Sequence, residues 1–239
     1  MNFKTSAYFY KIFYSINTYL NIMANLLLPS DISWLTIKHH SLEDILQTLQ
    51  LTDPMPLSWN TGVCTILSDY WDTRQTPDST LTRVYVSAPL DGWVFVFGDG
   101  IFVKDIEHPI IATEDRSDII QSLAQQLSTV YGSVAYFTSQ PRRDWFEWMW
   151  LQKGEVKRYF EWNDGDLQVQ GSPILDNETT LIEQATANDS VYWEDVVFEV
   201  LEKVCINPET VNQRVTKGVL ATTPYGKKVG VPPQPVLDL

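Results

Sequence analysis

The stretch from Thr82 to Val169 constrains the fold most, because short aromatic and β-branched runs alternate there with hairpin-type turns. Pro89-Leu90-Asp91-Gly92, Lys153-Gly154 and Asn163-Asp164-Gly165-Asp166 are turn sequences whose glycines accept a positive φ. Connections this short join antiparallel strands, since parallel strands need long crossovers. The sequence therefore predicts a central antiparallel sheet.

Three segments carry apolar residues at helical spacing. They predict helices over residues 41–51, 117–131 and 192–204, with Ser41 and Ser190 as candidate N-caps. The apolar run at 62–70 predicts a further strand. The order of these elements predicts an α+β fold, with one domain whose antiparallel sheet has five to seven strands and is packed by about three helices.

The two ends differ in composition from the centre. Residues 1–25 are interpreted as an N-terminal extension, because Lys11 and several asparagines interrupt the apolar run and Met23 opens a sequence typical of a natural start. The proline- and glycine-containing segment 207–239 predicts an extended or disordered tail. The α+β domain is therefore expected over 26–206.

Acidic residues dominate the centre of the chain. The net charge is −13, and residues 23–206 hold 28 acidic against 11 basic side chains. This surface disfavours nucleic acid and anionic membranes as partners, since both require basic protein surface. The charge either serves solubility or attracts a basic protein partner.

The two cysteines give no sign of a metal or redox motif. Cys64 and Cys205 lie far apart in apolar runs, which is typical of buried free thiols in a reducing compartment. No apolar run is long enough to predict a membrane span. A cytoplasmic location is the expectation.

No catalytic residue, metal site or cofactor is predicted. His39 and His40 are adjacent, so their side chains diverge, and no metal-binding spacing surrounds them. The sequence Gly226-Lys227-Lys228 lacks the earlier glycine of a phosphate-binding loop. Whether the chain is an enzyme is therefore left open, and a non-enzymatic role is favoured.

The strongest candidate binding site lies around the first strand of the predicted Trp-rich hairpin. On that strand, Trp148 faces one side of the sheet, while Trp145 and Glu147 face the other. Glu147 is expected to pair with a cation on a neighbouring strand, either as a structural ion pair or as part of a binding site. The candidate binding residues are Arg142, Arg143, Trp145, Glu147, Trp148 and Arg158.

Three segments resemble a group of uncharacterised bacterial α+β proteins. They are GWVFVFGDG, LAQQLSTVYGSVAYF and DWFEWMWLQKGEVKRYFEWNDG, which supply a Gly-Trp strand, a helix running into an aromatic strand, and a Trp/Arg hairpin. The resemblance covers roughly residues 80–205. It implies an α+β fold and carries over no activity or site residue.

Two functional hypotheses follow. The first is a non-enzymatic acidic binding protein, of the immunity or regulatory type, that acts on a basic protein. The second is a small-molecule-binding or hydrolytic protein with a Trp-lined cleft, in which Glu147 is the acid and Arg143 or Arg158 anchors an anion.

Overall fold

A computed structural model of the chain describes residues 33–71, 77–103, 116–140, 144–187, 192–206 and 217–232. Within these ranges nine strands form one sheet, antiparallel throughout, in the order β2-β9-β3-β4-β1-β5-β6-β7-β8. The strands are β1 Ser33–Lys38, β2 Thr52–Leu57, β3 Arg83–Ser87, β4 Trp93–Phe97, β5 Ser133–Gln140, β6 Trp145–Gln152, β7 Glu155–Asn163, β8 Asp166–Gly171 and β9 Gly218–Thr222.

Six α-helices accompany the sheet in the described ranges. They are α1 Leu42–Thr48, α2 Trp59–Trp71, α3 Arg116–Tyr131, α4 Glu178–Thr186, α5 Trp193–Val204 and α6 Pro224–Val229, with 3₁₀ turns at Pro77–Leu81 and Asp99–Phe102. The predicted α+β class with one antiparallel sheet is confirmed. The predicted count of five to seven strands and about three helices is wrong, since the described residues alone form nine strands and six helices.

The predicted hairpins form as the turn sequences indicate. β6 and β7 are antiparallel neighbours joined at Lys153-Gly154, and β7 and β8 are joined at Asp164-Gly165. Both residues of the second turn have positive φ, 47° and 91°, which is the type I′ geometry that matches the twist of a hairpin. The antiparallel pairing of β6, β7 and β8 therefore follows from their local turn sequences.

Helices cover both faces of the sheet. On the front face, defined by Trp34, Phe95, Phe137, Trp148 and Phe160, the strands pack against α2, α4 and α5. On the back face, helices α1 and α3 cover the strands, and the side chains that define this face are Leu35, Val94, Tyr136, Met149 and Leu151. The sheet is thus the middle of three layers, which explains why its central strands are apolar on both sides.

The segment 62–70, predicted as a strand, is the body of α2. Its apolar residues Val63, Ile66 and Leu67 all join the front-face core, at the spacing of one helical stripe. The Oγ of Ser58 accepts a hydrogen bond from the Thr61 N–H at 3.2 Å at the start of this helix. A short apolar run does not distinguish a strand from a buried helix, and here tertiary packing selected the helix.

Part of the segment expected as an extended tail belongs to the sheet. β9 lies between β2 and β3, and Val219, Leu220 and Ala221 are buried. The hydroxyl of Thr223 accepts a hydrogen bond from the Gly226 N–H at 3.0 Å and caps the short helix α6. The expected extension 1–25, the candidate N-cap Ser190 and the ends of the predicted tail lie outside the described residues.

Candidate functional site

The structure separates the predicted binding residues between the two faces of the sheet. Trp145 and Glu147 lie on the back face, whereas Trp148 and Arg158 lie on the front face. Glu147 and Arg158 therefore do not line one cleft. Arg142 and Arg143 lie outside the described residues, so the binding role of the predicted set stays a prediction.

Arg158 is held by an acid that sequence reasoning missed. Its guanidinium approaches Oε1 of Glu178 from Nε at 2.7 Å and from Nη2 at 2.6 Å, and its Nη1 donates to the Gly171 carbonyl at 2.9 Å. Both side chains are buried, with exposed fractions of 4% and 0%. Since its charge is neutralised inside the core, Arg158 acts as a structural clamp between β7 and α4.

The other oxygen of Glu178 closes the loop before α4. Its Oε2 accepts the backbone N–H of Ile174 at 2.5 Å and that of Leu175 at 3.4 Å. The carboxylate therefore joins strand, loop and helix start in one network. The only sequence signal for this role was the position of an acid in the first turn of a helix, where a carboxylate is favoured by the helix dipole.

A second buried ion pair holds α2 against the front face. Arg83 of β3 donates from Nε and Nη2 to the two carboxylate oxygens of Asp69 at 2.5 and 2.6 Å. The side chains are 2% and 3% exposed. The sequence shows Asp69 as an acid within an apolar segment and Arg83 as an arginine within another. Only the fold shows that these two residues pair with each other.

Glu147 lies in a polar row that crosses the back face. It stands between Thr138 of β5 and Glu161 of β7 in the strand register, and its exposed fraction is 0%. Glu161 accepts the Tyr159 hydroxyl at 2.7 Å. Two carboxylates at paired positions of neighbouring strands are a feature that the sequence did not indicate, since the β6–β7 register was needed to bring them together.

The tryptophans of β6 belong to the packed core. Trp148 is fully buried and stacks on Phe160 with ring centroids 3.7 Å apart and an interplanar angle of 8°. Trp193 of α5 covers this layer and stacks on Trp162 at 5.2 Å and on Phe146 at 5.9 Å. The ring of Trp148 is thus covered by α5 in the front-face core, whereas Trp145 is buried on the back face of the sheet.

The exposed acids gather at one end of the sheet. In the described ranges between 144 and 206, which hold β6, β7, β8, α4 and α5, nine acidic residues and only two lysines are exposed. We call this region the acidic end; its exposed acids are Asp144, Glu155, Asp164, Asp166, Asp176, Glu183, Asp195, Glu199 and Glu202, and its exposed lysines are Lys153 and Lys203.

Helix α5 presents three of these acids along one face. Asp195, Glu199 and Glu202 follow each other at spacings of four and three residues, which aligns them on the surface of a helix. The opposite face of α5 is fixed in the core, with Val200 and Leu201 both at 0% exposure. We call these three residues the α5 acidic stripe. Its charges are held by an element with little freedom to move.

Exposed lysines outnumber exposed acids near the far end of the sheet, although the edge strand β2 exposes Asp53. The last described range, 217–232, exposes Lys217, Lys227 and Lys228 and contains no acidic residue. The described surface is therefore polarised along the sheet, from lysines near β9 to acids around β8.

In the part of the chain that the structure describes, no helix combines the length and apolarity required to cross a membrane. No group of three or more His, Cys, Asp or Glu side chains there is arranged to hold a metal ion. No protein family, curated protein or solved structure matches this chain.

Proposed function

We propose that this protein is a non-enzymatic binding protein, of the immunity or regulatory type, which uses its acidic end to bind a basic protein. The carrying observation is the one-sided distribution of charge, with nine exposed acids and two exposed lysines in the acidic end. Such a surface attracts a basic partner over the range of the Debye length and accelerates the encounter.

The placement of the charges favours binding over solubility as their purpose. Solubility requires net charge but no particular location for it. Here the charges are concentrated at one end, and the α5 acidic stripe is carried by a helix whose opposite face is buried. Because the helix already fixes their backbone, these carboxylates lose little backbone freedom when a partner binds, which favours affinity.

The test compares capture by the wild-type protein with capture by a variant of the α5 acidic stripe. The stripe variant is Asp195→Asn, Glu199→Gln and Glu202→Gln. Its matched control removes three exposed acids from the other half of the molecule, through Glu43→Gln, Asp53→Asn and Asp91→Asn. Each tagged protein is used to capture partners from lysate of the source cell at low and at moderate salt.

We expect the wild type and the control variant to retain the same basic protein in a stoichiometric amount at low salt. The stripe variant should retain much less of it, and moderate salt should weaken all three associations, because exposed charges are screened. Equal retention by the stripe variant and the control would contradict the proposal, as would the absence of any stoichiometric basic partner.

A further inference from the structure

The two edges of the sheet differ in their protection against further strand pairing. β2, at one edge, contains Pro54 and Pro56, and its register with β9 is irregular between Thr52 and Met55. Prolines and irregularities are devices that prevent an edge from accepting another strand. β8, at the other edge, has neither device.

All six residues of β8 are exposed, and its pairing with β7 runs without a register shift. Its sequence, Asp166 to Gly171, contains no proline and no lysine. An edge of this kind is a template for another extended chain. It lies within the acidic end, next to Asp164 of the β7–β8 turn.

The geometry of the turn shows which backbone groups of β8 face outward. The two-residue turn Asp164-Gly165 makes Asn163 and Asp166 the closing pair of the hairpin. Hydrogen-bonded and non-hydrogen-bonded pairs alternate from there, so the N–H and C=O groups of Leu167 and Val169 point away from β7. The next outward carbonyl, that of Gly171, already accepts Arg158.

The side chains of β8 define what an added strand would meet. Leu167 and Val169 lie on the front face beside Trp162 and Phe160, and they are 46% and 47% exposed. Asp166, Gln168 and Gln170 lie on the back face. A matching strand therefore has apolar residues on one side and polar or basic residues on the other.

We propose that β8 accepts an extended segment of the basic partner as a tenth strand, paired antiparallel and composed of alternating apolar and Lys or Arg residues. This inference rests on the proposed function, because charge complementarity selects the occupant. A second copy of this chain would bring together two molecules of charge −13, which repel each other. A basic segment neutralises the same carboxylates.

The probe is the synthetic peptide acetyl-Lys-Val-Lys-Val-Lys-Val-Lys-amide, with binding measured by calorimetry at low salt. A second peptide carries N-methyl groups on its three valines. When the valine side chains lie on the front face, the valine N–H and C=O groups point towards β8, so methylation removes the N–H groups that would pair with it. A third peptide carries three N-methyl groups on lysines, whose N–H groups point away. All three have the same charge.

We expect methylation of the valines to weaken binding on the order of tenfold or more, because it removes the backbone hydrogen bonds to Leu167 and Val169. Methylation of the lysines should change binding by no more than about threefold. Equal binding of the two methylated peptides would overturn the inference, since a purely electrostatic association does not distinguish them.

Two substitutions test the protein side. Val169→Pro removes an outward N–H while the pairs with β7 remain, and Leu167→Lys places a repelling charge on the edge. Val130→Lys, on the 68% exposed position of α3, is the control for charge. Both edge variants should bind the parent peptide at least about tenfold more weakly than Val130→Lys, with thermal unfolding showing that each variant is folded.

The outcomes separate this inference from the proposed function. If the edge variants bind the peptide as well as Val130→Lys but the α5 stripe variant loses the cellular partner, the acidic end binds by charge and the added strand is refuted. If the peptide with glutamine in place of every lysine binds as tightly as the parent, the basic character of the occupant is refuted.

Discussion

Arg158 and Glu178 form an ion pair that solvent does not reach, with side chains 4% and 0% exposed and a guanidinium nitrogen 2.6 Å from Oε1. The pair joins a strand near one edge of the sheet to the helix that follows β8. Removing one partner leaves the other charge buried without compensation, which is among the most destabilising changes known for a single residue.

We therefore expect Arg158→Met to lower the free energy of unfolding by about 3–5 kcal/mol, as measured by urea denaturation. The matched control is Lys157→Met on the same strand, where the lysine pairs with the exposed Glu155 at the surface. The control should shift the urea midpoint very little, because exposed pairs contribute little. Equal shifts of the urea midpoint in the two variants would show that the buried pair does not stabilise the fold more than the exposed pair does.

Gly62 of α2 allows the close approach of Tyr85 on β3. A Cβ at position 62 would lie 2.0 Å from Cδ2 of the Tyr85 ring, and this ring is 0% exposed. In an unobstructed helix, Gly→Ala stabilises by about 1 kcal/mol. Here the overlap should reverse the sign, so Gly62→Ala should destabilise the protein by about 1–3 kcal/mol.

Urea denaturation of Gly62→Ala and of the double variant Gly62→Ala/Tyr85→Leu measures this effect. The smaller side chain at position 85 should make the alanine less harmful than it is beside tyrosine. A stabilising Gly62→Ala substitution would show that α2 does not lie this close to β3.

The hairpins around β6, β7 and β8 were predictable because their signals are local. Lys153-Gly154 and Asp164-Gly165 both take the positive φ values that two-residue hairpin turns require. The apolar stripes of α3 and α5 were predictable for the same reason, since the helical period is visible within one segment.

The elements that sequence reasoning missed depend on distant partners. β9 pairs with β3 through contacts such as Val84 with Ala221, more than a hundred residues apart in the chain. Nothing local in a proline- and glycine-containing segment indicates that pairing. Likewise, Glu178 was identifiable as the partner of Arg158 only after the fold had placed α4 against β7.

The two cysteines should react slowly in the folded protein. Burial raises the pKa of the Cys64 thiol, and burial raises the pKa of Cys205 to about 12. The Cys205 thiol also donates to the Leu201 carbonyl at 3.3 Å. Since the thiolate is the reactive form, a raised pKa reduces the reactive fraction near pH 8.

Alkylation by iodoacetamide at pH 8 checks this expectation, with Cys64→Ser used to isolate Cys205. Cys205 should react more than about a hundredfold more slowly in the native protein than in denaturant. Rapid native labelling of Cys205 would show that its thiol is accessible in the folded protein.

Asp44 in the first turn of α1 should titrate below its ordinary range. The hydrogen bond between His39 Nε2 and Oδ2 of Asp44, 2.9 Å long, holds the pKa of this carboxyl below 3.8, and a side-chain hydrogen bond with Ser41 lowers the pKa further. A carboxyl whose pKa is lower in the folded state stabilises the fold above its unfolded pKa, and this stabilisation is lost as the pH falls through the folded value.

A nuclear magnetic resonance titration of the Asp44 carboxyl carbon should show the low midpoint. His39→Gln should raise it, whereas Glu43→Gln, on the exposed neighbour, should leave it unchanged. An unaltered Asp44 midpoint in His39→Gln would show that the His39 contact does not stabilise the carboxylate in solution.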